Sequence, residues 1–126
     1  MSKIKNKFLE LESKNQKALI AYVVAGYPNE NGTLSAVRGL VKGGADIIEI
    51  GLPFSDPLAD GSVIQNASHQ ALQKGINLAK FINLVKKIRR ETDLPLVLMT
   101  YTNLLYKRGY DKFITLAKKA GIDGFI

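Results

Sequence analysis

Cysteine is absent from these 126 residues, so neither a disulfide framework nor a thiolate metal site can form. The single histidine, His69, excludes zinc sites built from histidine clusters. Long hydrophobic runs are also missing, since the longest, Ala18 to Gly26, is far too short to span a bilayer. The first segment, Met1 to Lys17, is polar and lysine-studded and has no apolar h-region. Two phosphate-binding signatures are lacking as well: no Gly-x-Gly-x-x-Gly follows the first apolar run, and no Gly-Lys-Ser/Thr loop occurs anywhere. The expectation is a soluble, cytoplasmic chain without metal, cofactor or membrane partner.

What is present reads as one globular domain, 46% hydrophobic and 23% charged. The net charge of +7 raises the question of a nucleic-acid partner. However, the cations are dispersed: Lys3, Lys5 and Lys7 lie near the start, Lys86, Lys87, Arg89 and Arg90 in one helical stretch, and Lys118 and Lys119 near the end. No aromatic residues interleave with them as a stacking platform requires. The run from Lys86 to Arg90 reads as a solvated helix face. The charge fits an anionic ligand or an acidic partner better than DNA.

Hydrophobic spacing divides the chain into alternating elements. Ile4, Phe8 and Leu11 mark a helix ending near Lys14. Ala18 to Ala25 reads as a buried strand, stopped by Gly26-Tyr27-Pro28. Leu34, Val37, Leu40 and Val41 form a helical stripe closed by Gly43-Gly44, and Asp46 to Gly51 is a second strand. After a polar loop, Ile64 to Leu72 and Phe81 to Ile88 give two more helical patterns. Pro95 to Tyr101 is the third strand, Phe113 to Ala120 the next helix, and Asp123 to Ile126 a fourth strand. Strands alternating with helices predict a parallel α/β sheet with right-handed crossovers, either doubly wound or part of a (β/α)8 barrel. With four strands, a fragment covering about half of a roughly 250-residue barrel is the expectation. Its unpaired edges should fall at strands one and three, or wherever the opening lies. The tyrosines and phenylalanines sit at core periodicities.

One strand stands out chemically. Period-two alternation places Ile47 and Glu49 on one face and Asp46, Ile48 and Ile50 on the other. Glu49 is therefore a lone ionisable group in an apolar run near the strand's carboxyl end, where α/β folds bind ligands. Burial there would raise its pKa into a range useful for acid-base work; the other reading is a glutamate pointing to water. The loop from Leu52 to Gly61, stiffened by Pro53 and Pro57, adds Asp56 and Asp60. On pattern alone, ordinary turn chemistry is favoured over a rigid active-site loop.

The stretch from Gly44 to Gly61, GADIIEIGLPFSDPLADG, continuing to Ile64-Gln65, closely resembles the signature of the tryptophan synthase α chain family. Gly26-Tyr27-Pro28 is similar to that family's first loop, and Tyr101-Thr102-Asn103 to its Tyr-x-Asn segment. The resemblance, running from about Lys7 to Ile126, implies the first half of a TIM barrel, residues 1–126. It also implies a lyase that cleaves indole-3-glycerol phosphate to indole and glyceraldehyde 3-phosphate, with a β chain as partner in an α2β2 complex. By the same resemblance Glu49 is the acid-base residue that protonates the indole ring at C3, and Asp60 accepts a hydrogen bond from the indole N–H. Tyr22 and Met99 match positions lining the indole pocket. Pro53, Asp56, Pro57 and Asn103 match surfaces that contact the β chain. Ser62 and Gln70 depart from the family's usual Pro and Arg, at positions that match no catalytic residue. The Gly-rich phosphate site of the later strands lies outside this sequence, so residues 1–126 alone are expected to be inactive. A non-catalytic half-barrel that serves as an interaction module is the alternative.

Overall fold

A computed structural model describes residues 2–126. Helix α1, Lys3–Ser13, begins where the Ser2 hydroxyl accepts the Lys5 backbone N–H at 3.2 Å, a serine N-cap that satisfies one of the otherwise unpaired first-turn donors. Of its predicted stripe only Leu11 is buried, and Phe8 remains 47% exposed. The helix lies across the amino-terminal side of the sheet. Lys3 Nζ pairs with Asp93 at 3.3 Å, and the Ile4 Cδ1 sits 2.7 Å from where a Cβ on Gly124 would be.

Strand β1 (Ile20–Val24) leads to helix α2 (Glu30–Lys42), capped by the Asn29 side chain, and then to strand β2 (Ile47–Gly51). Between β1 and α2 the buried Thr33 hydroxyl accepts the Gly26 N–H at 3.0 Å, which fixes a loop whose glycine has φ of 83°. Asp46, just before β2, accepts the Leu19 N–H at 2.9 Å and so sets the entry to β1. Helices α3 (Ser62–Gln73) and α4 (Leu78–Arg89) precede strand β3 (Leu96–Met99). Helices α5 (Thr102–Arg108) and α6 (Tyr110–Ala120) then lead to the two-residue strand β4 (Gly124–Phe125).

Helix α5 has no counterpart in the hydrophobic pattern. Its seven residues bury no side chain, so no stripe marks it, and Gly109, at φ of 83°, breaks it from α6. The strands pair in parallel in the order β1-β2-β3-β4. Among the described residues the open edges are therefore β1 and β4, not strands one and three.

The face carrying Ile48, Ile50, Leu96 and Leu98 packs under α2, α4 and α6 through Val37, Phe81, Leu84, Ile88, Phe113 and Ala117. These side chains are essentially removed from water, and truncating any one of the large ones to Ala costs about 2–5 kcal/mol. Covering this face leaves the opposite one free to build a site.

The basic run on α4 is not uniformly solvated. Lys86, Lys87 and Arg90 are exposed, but Arg89 is half-buried. Its guanidinium donates to the carbonyls of Gly121 (2.7 Å) and Leu94 (2.8 Å) and to Asp123 Oδ2 at 2.6 Å. The same Asp123 oxygen accepts the Leu96 N–H at 2.9 Å. Arg89 thus joins the end of α4 to the start of β3 and the approach to β4, a structural role that its neighbours in sequence do not share.

Candidate active site

Parallel pairing decides which side chains meet. Tyr22 lies opposite Glu49, and Glu49 opposite Val97; one step further on, Val24 lies opposite Gly51, and Gly51 opposite Met99. Tyr22, Glu49, Gly51 and Met99 therefore share the face turned away from the covering helices, at the carboxyl end of the sheet. Tyr22 and Val24 are packed there by Ala67, Ala71 and Ile76, residues of α3 and the segment after it.

Glu49 is half-buried on this face, and burial holds its carboxyl above the ordinary glutamate range. Tyr22 reports on both carboxylates of the site. Desolvation first, then the negative charges of Asp60 and Glu49, push its phenol up to about 12. Tyr22 is thus a neutral hydroxyl at neutral pH, set in the field of the two candidate acid-base groups.

Asp60 reaches the site from the loop between β2 and α3. Gln65 Nε2 donates to the Asp60 carbonyl at 2.8 Å and to the Pro57 carbonyl at 3.3 Å, and the Asp60 N–H reaches the Pro57 carbonyl at 3.0 Å. The side chain is held separately. The Tyr101 hydroxyl donates to Asp60 Oδ2 at 3.1 Å while accepting the Ala59 N–H at 3.1 Å. The Tyr101 ring also packs on Phe54, with centroids 5.0 Å apart. Burial and the Asp60 carboxylate raise the Tyr101 pKa, which keeps its proton available for this bond.

Neither Tyr101 nor Gln65 carries a role in the sequence reading, although both fall within the quoted motifs. Assigning every aromatic residue to the core was too broad. Phe81 and Phe113 are buried, whereas Phe8, Tyr27, Tyr106, Tyr110 and Phe125 are exposed, and Tyr101 serves the loop.

The residues matched to a partner surface lie around the same loop. Pro53 is buried, Pro57 half-buried, and Asp56 exposed with a 2.8 Å hydrogen bond from Ser55 Oγ. Asn103 is exposed on α5, two residues after Tyr101, so the Phe54–Tyr101 contact brings the two segments together. His69 is exposed on α3. No helix among the described residues is long and apolar enough to cross a membrane.

One carboxyl thus stands partly desolvated in the sheet wall, and a second is held by hydrogen bonds on the adjoining loop. Two such environments allow the two carboxyls to divide the work of a reaction. Consecutive parallel βα units with these groups at the strands' carboxyl ends define a segment of a TIM barrel. The chain belongs to the tryptophan synthase alpha chain family, whose sequence profile matches residues 8–126. It is 46% identical to the tryptophan synthase alpha chain of Aquifex aeolicus over 127 residues, covering 100% of this chain and 48% of that one. The crystal structure of tryptophan synthase subunit alpha from Legionella pneumophila superposes with a TM-score of 0.95 at 40% identity, covering 99% of this chain and 48% of that one. A chain of the Pyrococcus furiosus tryptophan synthase a2b2 complex superposes with a TM-score of 0.81 at 42% identity, covering 86% of this chain and 46% of that one. The chain spans about half the length of the curated relatives it matches.

Proposed function

We propose that residues 1–126 supply the acid-base groups of a site that cleaves indole-3-glycerol phosphate to indole and glyceraldehyde 3-phosphate. The position of Glu49 carries this reading: a half-desolvated carboxyl on the ligand face, one strand away from Tyr22 and in the same electrostatic neighbourhood as Asp60.

The protonated Glu49 delivers its proton to C3 of the indole ring. The ring becomes electron-poor, and positive charge develops towards its N–H, where the Asp60 carboxylate accepts the hydrogen bond. The substrate hydroxyl next to the scissile bond gives its proton to the Glu49 carboxylate left by the first step and becomes the aldehyde carbonyl. The electrons of the broken C–C bond return to the ring and restore its aromaticity. Tyr22 and Met99 form the wall against which the ring lies. This step asks for no cofactor.

The phosphate of the substrate needs an anion site, which the remaining strands of a complete barrel would contribute, because remote binding energy positions the reacting carbons. Asp56, Pro57 and Asn103 then face a β chain that takes up the indole; that the Pyrococcus relative belongs to an a2b2 complex supports such a partner. Pro53, which is buried, belongs to the same loop. The complete enzyme works in the cytoplasm.

The test is indole release from indole-3-glycerol phosphate by a full-length α chain carrying this segment, with and without the β chain. Turnover in the wild type that falls with Glu49→Gln is expected. A wild type that binds the β chain but releases no indole would leave the non-catalytic alternative standing.

A further inference from the structure

The geometry points to Tyr101 as the positioning residue for Asp60, its hydroxyl holding the carboxylate in the orientation the reaction uses. This inference rests on the lyase reading above and adds to it a residue that touches no substrate atom.

Asp60 lies in an irregular loop, so strand geometry does not set the direction of its side chain. Its backbone is restrained by Gln65 and Pro57, but neither of them touches the carboxylate. Two torsions of the side chain would otherwise remain free to rotate into water. Tyr101 removes that freedom through three contacts made by a single side chain. The hydroxyl donates to Oδ2 at 3.1 Å, it accepts the N–H of the preceding residue, Ala59, at 3.1 Å, and the ring rests against Phe54 near the other end of the loop. The Ala59 bond matters to the Asp60 bond. With the N–H occupying its acceptor side, the phenolic proton is directed towards the carboxylate.

The hydrogen bond takes up one carboxylate oxygen and leaves the other available for an N–H donor. A carboxylate has lone pairs enough for both. Tyr101 begins the segment from β3 into α5, so the orientation of Asp60 is referenced to the sheet through β3 rather than to its own loop. A group fixed in this way costs no reorganisation when charge develops on the ring.

The experiment uses a full-length α chain carrying this segment, assayed with its β chain, and compares four proteins: wild type, Tyr101→Phe, Asp60→Asn and the double variant. Tyr101→Phe keeps the ring against Phe54 and removes only the hydroxyl. The expected result is a fall in kcat of about tenfold with KM within about twofold, the pattern of an interaction made in the transition state. Adding Tyr101→Phe to Asp60→Asn should then cost little more than Asp60→Asn alone, because the two act as one unit. Equal, additive losses in both backgrounds would overturn the inference, as would wild-type kcat for Tyr101→Phe. Loss of cooperative unfolding in Tyr101→Phe would make the residue structural and equally overturn it. A wild type without lyase activity would remove the lyase reading itself. An active wild type with an unaffected Tyr101→Phe removes only the role of Tyr101.

Discussion

The Tyr22 ring occupies the space into which any side chain on Gly51 would project. A Cβ built on Gly51 would stand 2.7 Å from Tyr22 Cζ and closer still to the hydroxyl oxygen. The glycine of β2 therefore answers to the tyrosine of β1, and together they set the depth of the site beside Glu49. Gly51→Ala should destabilise the complete protein by about 1–3 kcal/mol, the usual range for overpacking. Because the hydroxyl is the nearest atom, Tyr22→Phe in the Gly51→Ala background should recover part of that loss. Denaturant unfolding of the single and double variants measures both effects; equal stability of Gly51→Ala and wild type would show that Tyr22 moves aside freely.

For Glu49, burial raises the carboxyl pKa, and the sign of the consequence follows from proton counting. Between the unfolded and folded pKa values the folded state holds more protons than the unfolded one, so stability falls as pH rises through that window. Below the window no penalty exists; above it the penalty is complete. Glu49→Gln carries no such titration, so at neutral pH it should be at least as stable as wild type while losing about 10²-fold or more in kcat. The wild-type rate should fall as pH rises through a pKa above the ordinary glutamate range, because the acid must be protonated. A fall centred at the ordinary value, or full turnover by Glu49→Gln, would remove Glu49 from the acid role.

Arg89 provides a stability test away from the chemistry. Arg89→Met keeps the aliphatic packing but strips Asp123 of its 2.6 Å partner and releases three carbonyls, those of Thr92, Leu94 and Gly121. Both side chains of the ion pair are only 18% exposed, so the loss should exceed that of a surface pair and reach about 2 kcal/mol. Substituting Lys86 or Arg90, both exposed, should change stability by less than about 0.5 kcal/mol. Thermal or denaturant unfolding of the three variants reads the difference directly.

Strand β2 was legible because its environment is uniform: a buried strand must alternate, so the place of Glu49 followed from counting by two. The parallel pairing of the strands followed from their alternation with helices, whereas the position of the open edges did not. Arg89 was not legible, since in sequence it is one of several similar cations and only the approach of Asp123 from 34 residues away distinguishes it. Tyr101 likewise depends on a contact with Asp60 that spans 41 residues. Helix α5 escaped for a different reason: it buries no side chain fully, and half-buried Leu104 and Leu105 are neighbours that make no helical stripe.

The partner surface can be tested at its most accessible points. Asp56→Ala and Asn103→Ala, both exposed, should weaken association of a full-length α chain with the β chain by several-fold while leaving its own unfolding midpoint unchanged. Titration calorimetry and thermal unfolding separate the two quantities. Reduced stability with normal association would assign these residues to the loop's own architecture.

Expressed without further strands, residues 1–126 should associate with themselves. The β1 edge and the short β4 present unpaired backbone beside exposed Leu19, Ile20, Phe125 and Ile126. Light scattering should show oligomers that dissolve into a heterodimer when the remaining half of a related α chain is co-expressed, and indole release should appear only then. A monodisperse, cooperatively unfolding monomer of 1–126 would contradict this expectation.

The seating of Ile4 against Gly124 bears on how the molecule is made. Helix α1 leaves the ribosome well before the residues that receive it: one of its anchors lies 120 residues later, and another, the partner of Lys3, is Asp93. At a synthesis rate of about 5–20 residues per second, the apolar side chains of α1 wait on the order of ten seconds for the surface that receives them. Through that interval Ile4 is open to whatever binds nascent hydrophobic segments, which makes helix α1 a natural point of chaperone contact.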